Sequence, residues 1–481
     1  MSKATTKKPK KSKQKNPEGL ALVNLHAAGI DVSATAHMVA VPPDNTQNSC
    51  REFGAFTQDL HDIARWLQEC RVTTVAMEST GVYWKPLHSV LLHYGFEVYL
   101  VNARHVKNVT GKKTDQSDAQ WIQKLHACAL LNSSFLPDEQ SEKLRTLVRH
   151  RSKLMADASR YTLRIQKALE LMNIKVHSVL SDLMGKTGRS ILEAIIAGQR
   201  EPENFLQYVD SRVKADSQTI KASLSGYWKA EELFLVEQNY GLYRGLEQCM
   251  ESCDEKIRQL LAEQCKAIAL PLPVEEQPQA AVAAPPQLPL KAHAKKAGEG
   301  KVKVPEAKAK RKSKNQPGYN VAGYLQCIHG VDVTQIYGIS DTTALRIFSE
   351  TGSDLSKWGH EDQFVSWLRL CPNNKVSAGK LISSLVMKGK AGYASQAFRQ
   401  AANSLSKSDH WLGDYFRRMR SKGGNKYAII AVARKLAIIY YKMVRYKQVF
   451  RAVDVDEYRQ KHQAAKIKYL EKQLAKLKGV A

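Results

Sequence analysis

Four acidic side chains in the first quarter of the chain have the types and spacing that metal-assisted phosphoryl transfer requires. Asp31 ends the apolar run in GIDVS, and Glu78 directly follows the β-rich run VTTVAM. Asp115 and Asp118, in KTDQSDA, stand three residues apart at the start of a predicted helix, so they share one of its faces. Carboxylates brought together repel each other unless a cation neutralises them, and magnesium or manganese prefers such oxygen ligands. In phosphoryl transfer, two such ions activate a nucleophile and stabilise the leaving oxygen.

Taken singly, each acidic motif has an ordinary structural explanation. A strand-end Asp is common, and DxxD at a helix start is often only a cap. The combination is more specific, because basic residues border it: Lys107, Lys112 and Lys113 precede the DxxD motif, where the alternative to a solvated loop is phosphate contact. For Tyr83 and Trp84, after Glu78, we favour core packing over stacking on a displaced base.

The elements that must position these acids follow an α/β pattern. In chain order, the sequence predicts strands over 23–32, 37–41 and 51–56, a helix around 60–67, a strand over 72–77, a helix over 84–94, a strand over 96–101 and a helix over 115–130. The order β-β-β-α-β-α-β-α indicates a mixed sheet. Neighbouring strand ends converge in such a sheet, which would make Asp31 and Glu78 adjacent.

The charge balance predicts a polyanionic partner. The 481 residues include 73 Lys and Arg against 46 Asp and Glu, a net charge of +27, and basic side chains gain affinity by displacing counterions from phosphates. The alternative is a soluble protein with basic tails. The eight cysteines form no CxxC pair, which favours reduced thiols over a zinc site. The longest apolar stretch, 427–444, is interrupted by three cations, so no membrane association is expected.

Beyond about residue 137 the pattern changes to long helices. Apolar residues separated by steps of seven, four and three predict a coiled-coil seam, formed by Leu147, Leu154, Ala158, Tyr161, Ile165, Ala168 and Met172. The predicted polar face carries Arg145, Arg149, Arg151, Lys153, Arg160, Arg164 and Lys167. This face is either solvated or part of an interhelical or dimer contact with a basic outer surface, and we predict that Arg149, Arg160 and Arg164 contact nucleic acid.

GIDVS, AMESTGVYW and KTDQSDA, at these intervals, resemble the DEDD-type insertion-sequence transposases. These recombinases have a RuvC-like, ribonuclease-H-like domain, a coiled coil and a C-terminal serine domain, and they use a structured bridge RNA. The resemblance covers about 22–175 and 320–445, where YGISDTTALRIFSETG, LRLCPNNKVSAGKLISS and SKGGNKYAIIAVARKLA match the later motifs. It implies that Asp31, Glu78, Asp115 and Asp118 bind magnesium or manganese.

The resemblance also implies that Ser377 is a nucleophile. Ala378 replaces the usual Gly after it. From the residues alone, Ser-x-Gly-Lys in a loop is most often a turn, and no neighbouring His activates the hydroxyl. Lys380, Lys422 and Lys426 would neutralise the scissile phosphate and its neighbours. The implied partners are DNA, a structured non-coding guide RNA and further copies of the chain, as a dimer or tetramer.

The sequence thus predicts a DNA transposase that cuts and rejoins strands in the bacterial cytoplasm, associated with the nucleoid. Its predicted organisation is a basic disordered tail over 1–20, a RuvC-like catalytic domain over 21–136, a helical coiled-coil region over 137–267, a linker rich in Pro, Ala and Lys over 268–318, a helical domain with the serine motif over 319–450, and a basic C-terminal helix over 451–481. Two alternatives stay open: a junction-resolving nuclease that uses only the acids and water, and a non-enzymatic nucleic-acid scaffold.

Overall fold

The computed structural model describes residues 21–43, 46–101, 115–268, 316–372, 374–384, 386 and 391–477. The chain divides into two compact units, Met1–Leu136 and Pro137–Ala481. The predicted tail over 1–20 and most of the predicted linker over 268–318 lie outside the described residues. The finer domain boundaries therefore stay predictions.

Within its described residues, the first unit contains a mixed five-stranded sheet with flanking helices. The strand order is β3-β2-β1-β4-β5, with β1 antiparallel to β2 and parallel to β4, and β4 parallel to β5. The elements are β1 (Ala27–Val32), β2 (Ala36–Ala40), β3 (Cys50–Gly54), α1 (Thr57–Glu69), β4 (Thr74–Glu78), α2 (Trp84–His93), β5 (Glu97–Val101) and α3 (Asp115–Ala127). This confirms the predicted element order, and the mixed sheet is consistent with a ribonuclease-H-like fold.

The two faces of this sheet pack against different helices. Successive strand residues point to opposite faces, so Ile30 in β1 and Met77 in β4 lie on the face where α1 and α2 complete the core. Ala76 points to the other face and packs against Ile122 of α3. Odd-numbered residues of β1 and even-numbered residues of β4 therefore point toward α3.

The second unit is mainly helical, as the sequence predicted. Its helices are α4 (Glu139–Leu171), α5 (Val176–Val179), α6 (Lys186–Ile196), α7 (Ser217–Leu224), α8 (Ala230–Ala267), α9 (Val321–His329), α10 (Asp341–Thr351), α11 (Glu361–Trp367), α12 (Tyr393–Ser404), α13 (Trp411–Tyr446) and α14 (Val455–Leu477). A hairpin, β6 (Lys375–Ser377) and β7 (Lys380–Ser383), lies between α11 and α12. None of the helices in the described parts of the chain is long and apolar enough to span a membrane.

The long helices α4 and α8 pack against each other in opposite directions. Near the start of α4 and the end of α8, the Arg151 guanidinium binds Asp254, with Nη2 donating to Oδ2 at 3.0 Å. Toward the other end of the pair, Ala168 and Leu235 line one groove. Of the predicted seam, Leu154, Ala158, Ile165, Ala168 and Met172 are buried, whereas Leu147 and Tyr161 are half-buried. A supercoil of the two helices stays a prediction.

Two arginines of the predicted polar face of α4 form ion pairs with other helices, so this part of the face is an interhelical contact, one of the two predicted alternatives. The Arg151 side chain is 8% exposed in its ion pair with Asp254. The Arg145 side chain is 11% exposed and binds Glu142 at 2.9 Å and Glu350 at 3.4 Å. Arg151 is buried and Arg145 is half-buried, and partners distant in sequence, in α8 and α10, neutralise their charges.

The core of the C-terminal part is aromatic. Tyr440 and Tyr441 of α13 and Phe364 and Phe398 of α11 and α12 are fully buried and contact one another. The helix α13 is broken at Gly424, where φ is 80° and ψ is 178°. Only glycine adopts such a backbone conformation readily, so this residue separates two helical halves.

Candidate active site

Asp31 and Glu78 end two neighbouring parallel strands. The register pairs Ala28 with Val75 and Ile30 with Met77, so the next residue on each strand is Asp31 and Glu78. Adjacent strands lie about 4.8 Å apart. The two carboxylates therefore stand side by side, on the face of the sheet that α3 covers.

The helix α3 lies against β1 at a glycine. A Cβ atom on Gly29 would lie 2.2 Å from the backbone nitrogen of Gln123 and 2.5 Å from the carbonyl oxygen of Ala119. Both distances are shorter than real Cβ contacts allow. The absence of a side chain at residue 29 thus sets how closely the helix approaches the strand.

Three hydrogen bonds fix the direction of α3 across the sheet. The Gln123 side-chain amide donates to the carbonyl of Ala27 at 3.1 Å. One turn later, His126 Nε2 lies 2.9 Å from Thr74 Oγ1, and its carbonyl accepts from the Asn24 side chain at 2.8 Å. These contacts lie at the amino ends of β1 and β4, so the end of α3 lies there and its start lies at their carboxyl ends.

This direction brings the second acid pair toward the first. Asp118 directly precedes Ala119, the residue whose carbonyl faces Gly29, and Asp115 begins the helix three residues earlier. The start of α3 thus lies at the sheet edge where Asp31 and Glu78 end their strands. Asp118 is half-buried, whereas the Asp115 side chain lies outside the described residues.

Of the four candidate metal-binding acids, Glu78 is the most buried among those whose side chains the structure describes. Its residue is 8% exposed, and Thr80 Oγ1 donates to Glu78 Oε1 at 3.1 Å. After it, Gly81 adopts a φ of +56° and starts the approach to α2. Among the side chains described, no three carboxylate, imidazole or thiol groups lie as close together as metal ligands do.

The aromatic residues after Glu78 divide between core and surface. Trp84 packs against the core cluster, as we favoured. Tyr83 is 45% exposed, so the favoured core packing is wrong for this residue. Its ring therefore remains accessible to solvent.

The candidate nucleic-acid contacts in the first half of the chain have different environments. Lys107, Lys112 and Lys113 lie outside the described residues. Arg149 binds both carboxylate oxygens of Glu350, at 2.7 and 2.8 Å, with its guanidinium 4.5 Å from the centre of the Tyr393 ring. This ion pair accounts for Arg149 without nucleic acid.

Two further arginines of α4 are exposed to solvent. Arg160 binds Asp157 one turn earlier, and its side chain is 70% exposed. The Arg164 guanidinium lies 5.0 Å from the centre of the Tyr161 ring and lines a groove together with Lys167. Both remain accessible to an anionic ligand.

Ser377 lies at the exposed tip of the β6–β7 hairpin. It pairs with Lys380 across a two-residue turn, in which Ala378 and Gly379 have φ values of +49° and +75°. Positive φ at both central residues is typical of a type I′ turn, which suits the twist of a hairpin. Ser377 and Lys380 are both exposed. The hairpin therefore presents a hydroxyl and an ammonium group together at the surface.

Lys422 and Lys426 are exposed on either side of the break in α13 at Gly424. The extra glycine of the SKGGNK motif thus has a structural role. A Cβ at Gly423 would lie 2.7 Å from the Tyr427 ring, so both glycines of the motif are constrained.

Sequence reasoning missed the residues that position the acids. Gly29 and Gln123 hold α3 against β1, and Thr80 contacts Glu78. One signal was present: Asp115, Ala119, Gln123 and His126 follow at steps of four, four and three, a helical face that continues from the acids. The glycine within an otherwise apolar strand was the second signal.

Comparison with known proteins gives two matches. The model of the DEDD-type domain of IS110 elements, described as a transposase, matches residues 28–174. A second model, described as the transposase IS116/IS110/IS902 family, matches residues 332–417. The first match contains all four acids and the second contains Ser377. No curated protein matches the chain.

Proposed function

Because the chain belongs to the IS110 family of insertion-sequence transposases, which cut and rejoin DNA, we propose that Asp31, Glu78, Asp115 and Asp118 form its metal-dependent strand-cleavage site. We further propose that Ser377 is the nucleophile that holds the cut strand. The first unit is then a RuvC-like catalytic domain, and α4 and α8 form the coiled coil that follows it.

One observation carries the assignment of the acids: the start of α3 lies at the carboxyl ends of β1 and β4. The contact of α3 with Gly29 and the Gln123–Ala27 hydrogen bond support this placement. A helix start also suits carboxylates, because the helix dipole is positive there.

The donor set fits magnesium or manganese. All four side chains offer carboxylate oxygens, which hard divalent cations prefer, and no thiol or imidazole is required. When bound, the metal would supply charge neutralisation and activation for phosphoryl transfer. Thr80 holds Glu78 by its hydroxyl, which leaves the other carboxylate oxygen of Glu78 for the ion.

The serine step conserves the energy of the phosphodiester bond. Ser377 Oγ forms a bond to the scissile phosphorus while the bond from phosphorus to one DNA oxygen breaks. The serine proton leaves and the displaced DNA oxygen takes one up as a hydroxyl, so charge and atoms balance. A DNA hydroxyl later attacks the phosphoserine and regenerates Ser377, which explains how rejoining needs no ATP. Lys380 lies beside Ser377 in the hairpin and would neutralise the phosphate.

The positive charge supports nucleic-acid contacts beyond the site. The net charge of +27 and the exposed Arg160, Arg164, Lys422 and Lys426 are suited to phosphate backbones. We include a structured guide RNA among the partners, because delegating sequence to base pairing leaves the protein to recognise shape and backbone. Assembly as a dimer or tetramer and association with the bacterial nucleoid complete the proposal.

Substitution of the acids tests the metal site. Asp31→Ala or Glu78→Ala should abolish strand cleavage by the purified protein in magnesium while nucleic-acid affinity changes little. Asp62→Ala is the matched control, because Asp62 is a partly exposed carboxylate of the same unit whose partner is Arg65. Near wild-type cleavage by Asp31→Ala or Glu78→Ala would exclude these residues from the site.

A trapped adduct tests the serine. Reaction on a nicked DNA substrate, followed by mass spectrometry of the digested protein, should locate a phosphate on Ser377. Ser377→Ala should stop recombination without weakening DNA binding, whereas Ser383→Ala, at the far end of the same hairpin, should not. Phosphate on another residue, or efficient recombination by Ser377→Ala, would refute the serine step.

One observation favours a second candidate, a nuclease that uses the acids and water alone. The type I′ geometry of Ala378 and Gly379 explains the Ser-Ala-Gly-Lys motif as a hairpin turn without any chemistry. The two candidates give different products: the nuclease would release free ends and leave no protein–DNA adduct.

A further inference from the structure

The C-terminal helix α14 packs on its own unit near its start. Tyr458 packs against Trp411, with ring centroids 5.8 Å apart. Arg459 binds Asp414 at 2.6 Å and Asp409 at 3.1 Å. These contacts involve the first turns of α14, which they attach to the first turns of α13.

The later turns of α14 carry an exposed apolar seam. Ile467, Leu470 and Leu474 are 49%, 51% and 55% exposed, and Leu477 continues the same spacing in the sequence. The steps of three, four and three are those of a heptad, with Ile467 and Leu474 at a and the other two at d. On this numbering Tyr458 falls at f and Arg459 at g, so the a and d residues of the seam are not the ones that bind α13.

We propose that this seam binds the same seam of a second copy of the chain, as a parallel two-stranded coiled coil. A β-branched residue at a followed by Leu at d favours two parallel strands, as in the pair Ile467 and Leu470. The charged residues that flank the seam also favour a parallel pair. Lys466 takes a g position and Glu471 the following e position, and these two positions meet across a parallel pair.

The remaining charges on α14 favour this occupant over nucleic acid along the seam. Lys468 takes position b, so it belongs to the outer side of the helix pair. A nucleic acid would be attracted to that side and would leave the leucines exposed to water. Only an apolar partner removes the seam from water, and a second α14 offers an identical one.

The contact is short, about one and a half heptads over residues 467–477, and helices of this length are marginal alone in water. It would therefore strengthen an assembly whose chains also meet elsewhere, because a tethered second contact acts at a high effective concentration. This inference does not depend on the chemistry proposed for the acids or for Ser377.

Cysteine cross-linking tests the geometry. In Leu470→Cys, the two d-position thiols face each other across a parallel pair, so mild oxidation should give a disulfide-linked dimer, mapped by mass spectrometry to residue 470. Lys468→Cys, on the outer side, should cross-link no more than the wild-type chain, which controls for its eight native cysteines. No dimer from Leu470→Cys, or equal dimer from Lys468→Cys, would overturn the proposal.

Light scattering tests the energetics. Leu474→Glu should raise the concentration at which chains associate roughly tenfold or more. The substitution removes a leucine that the dimer would bury, and it adds a charge to each seam. Lys466→Glu should weaken association, and adding Glu471→Lys should restore it. The substituted side chains are exposed, so circular dichroism should show the wild-type fold. Unchanged association in Leu474→Glu, or reduced RNA binding with unchanged mass, would refute self-association.

Discussion

Gly29→Ala should disturb the candidate active site without touching any of its acids. The added methyl group would lie 2.2 Å from the backbone nitrogen of Gln123, where an ordinary contact needs at least about 3.4 Å. The helix α3 must therefore move outward by about 1 Å, or the strand must bend. Overpacking of this kind costs about 1–3 kcal/mol of stability. Because α3 carries Asp115 and Asp118, a displacement of about 1 Å should also reduce strand cleavage about 100-fold.

Thermal unfolding and DNA cleavage by the same preparation measure both effects. Gly245→Ala is the matched control, since a Cβ there meets no atom within 4 Å and alanine favours the helix α8. That control should be stabilised by up to about 1 kcal/mol and should cleave normally. A Gly29→Ala protein with wild-type stability and cleavage would refute the view that this contact positions the acids.

Three other changes have expected outcomes. Glu350→Gln leaves the Arg149 guanidinium without its carboxylate, and unfolding in urea should show a loss of about 3–5 kcal/mol. Full burial lowers the pKa of His329 to about 3, so below pH 6.5 the unfolded chain binds a proton that the folded chain excludes. Stability should therefore fall by about 2 kcal/mol between pH 7 and pH 5, and less in His329→Phe, as urea titrations at both pH values would show. Lys422→Ala and Lys426→Ala should each reduce the slope of log affinity against log salt by about one, measured by anisotropy of labelled DNA, and an unchanged slope would exclude phosphate contact.

The α/β arrangement of the first unit was predictable because its signals are local. The strands β1 and β4 are buried on both faces and so read as continuous apolar runs, AAGIDV and TVAME. Parallel pairing of two such runs predicts that Asp31 lies beside Glu78, and the observed register agrees. The Ser377 motif was likewise recognised as a turn, because Gly379 follows at a position that requires positive φ.

The features that the sequence did not reveal depend on distant partners. Gly29 contacts Gln123, which lies more than ninety residues later in the chain, and no local sequence pattern predicts this contact. The choice between solvent and an interhelical contact for Arg145 and Arg151 has the same origin, since the sequence alone does not identify the counter-ion of a charged helical residue. Periodicity gives the direction in which a side chain points, whereas burial depends on what packs there.

Because α4 and α8 pack in opposite directions, the length of this helix pair can change without changing the rest of the second unit. The chain runs out along α4 and back along α8, so residues 172–229 connect the two helices at one end of the pair. Removing seven residues from each helix would shorten the pair by about 10 Å and preserve which side chains face inward. The length of the pair can therefore change without altering any of the proposed site residues, which lie in other segments of the chain.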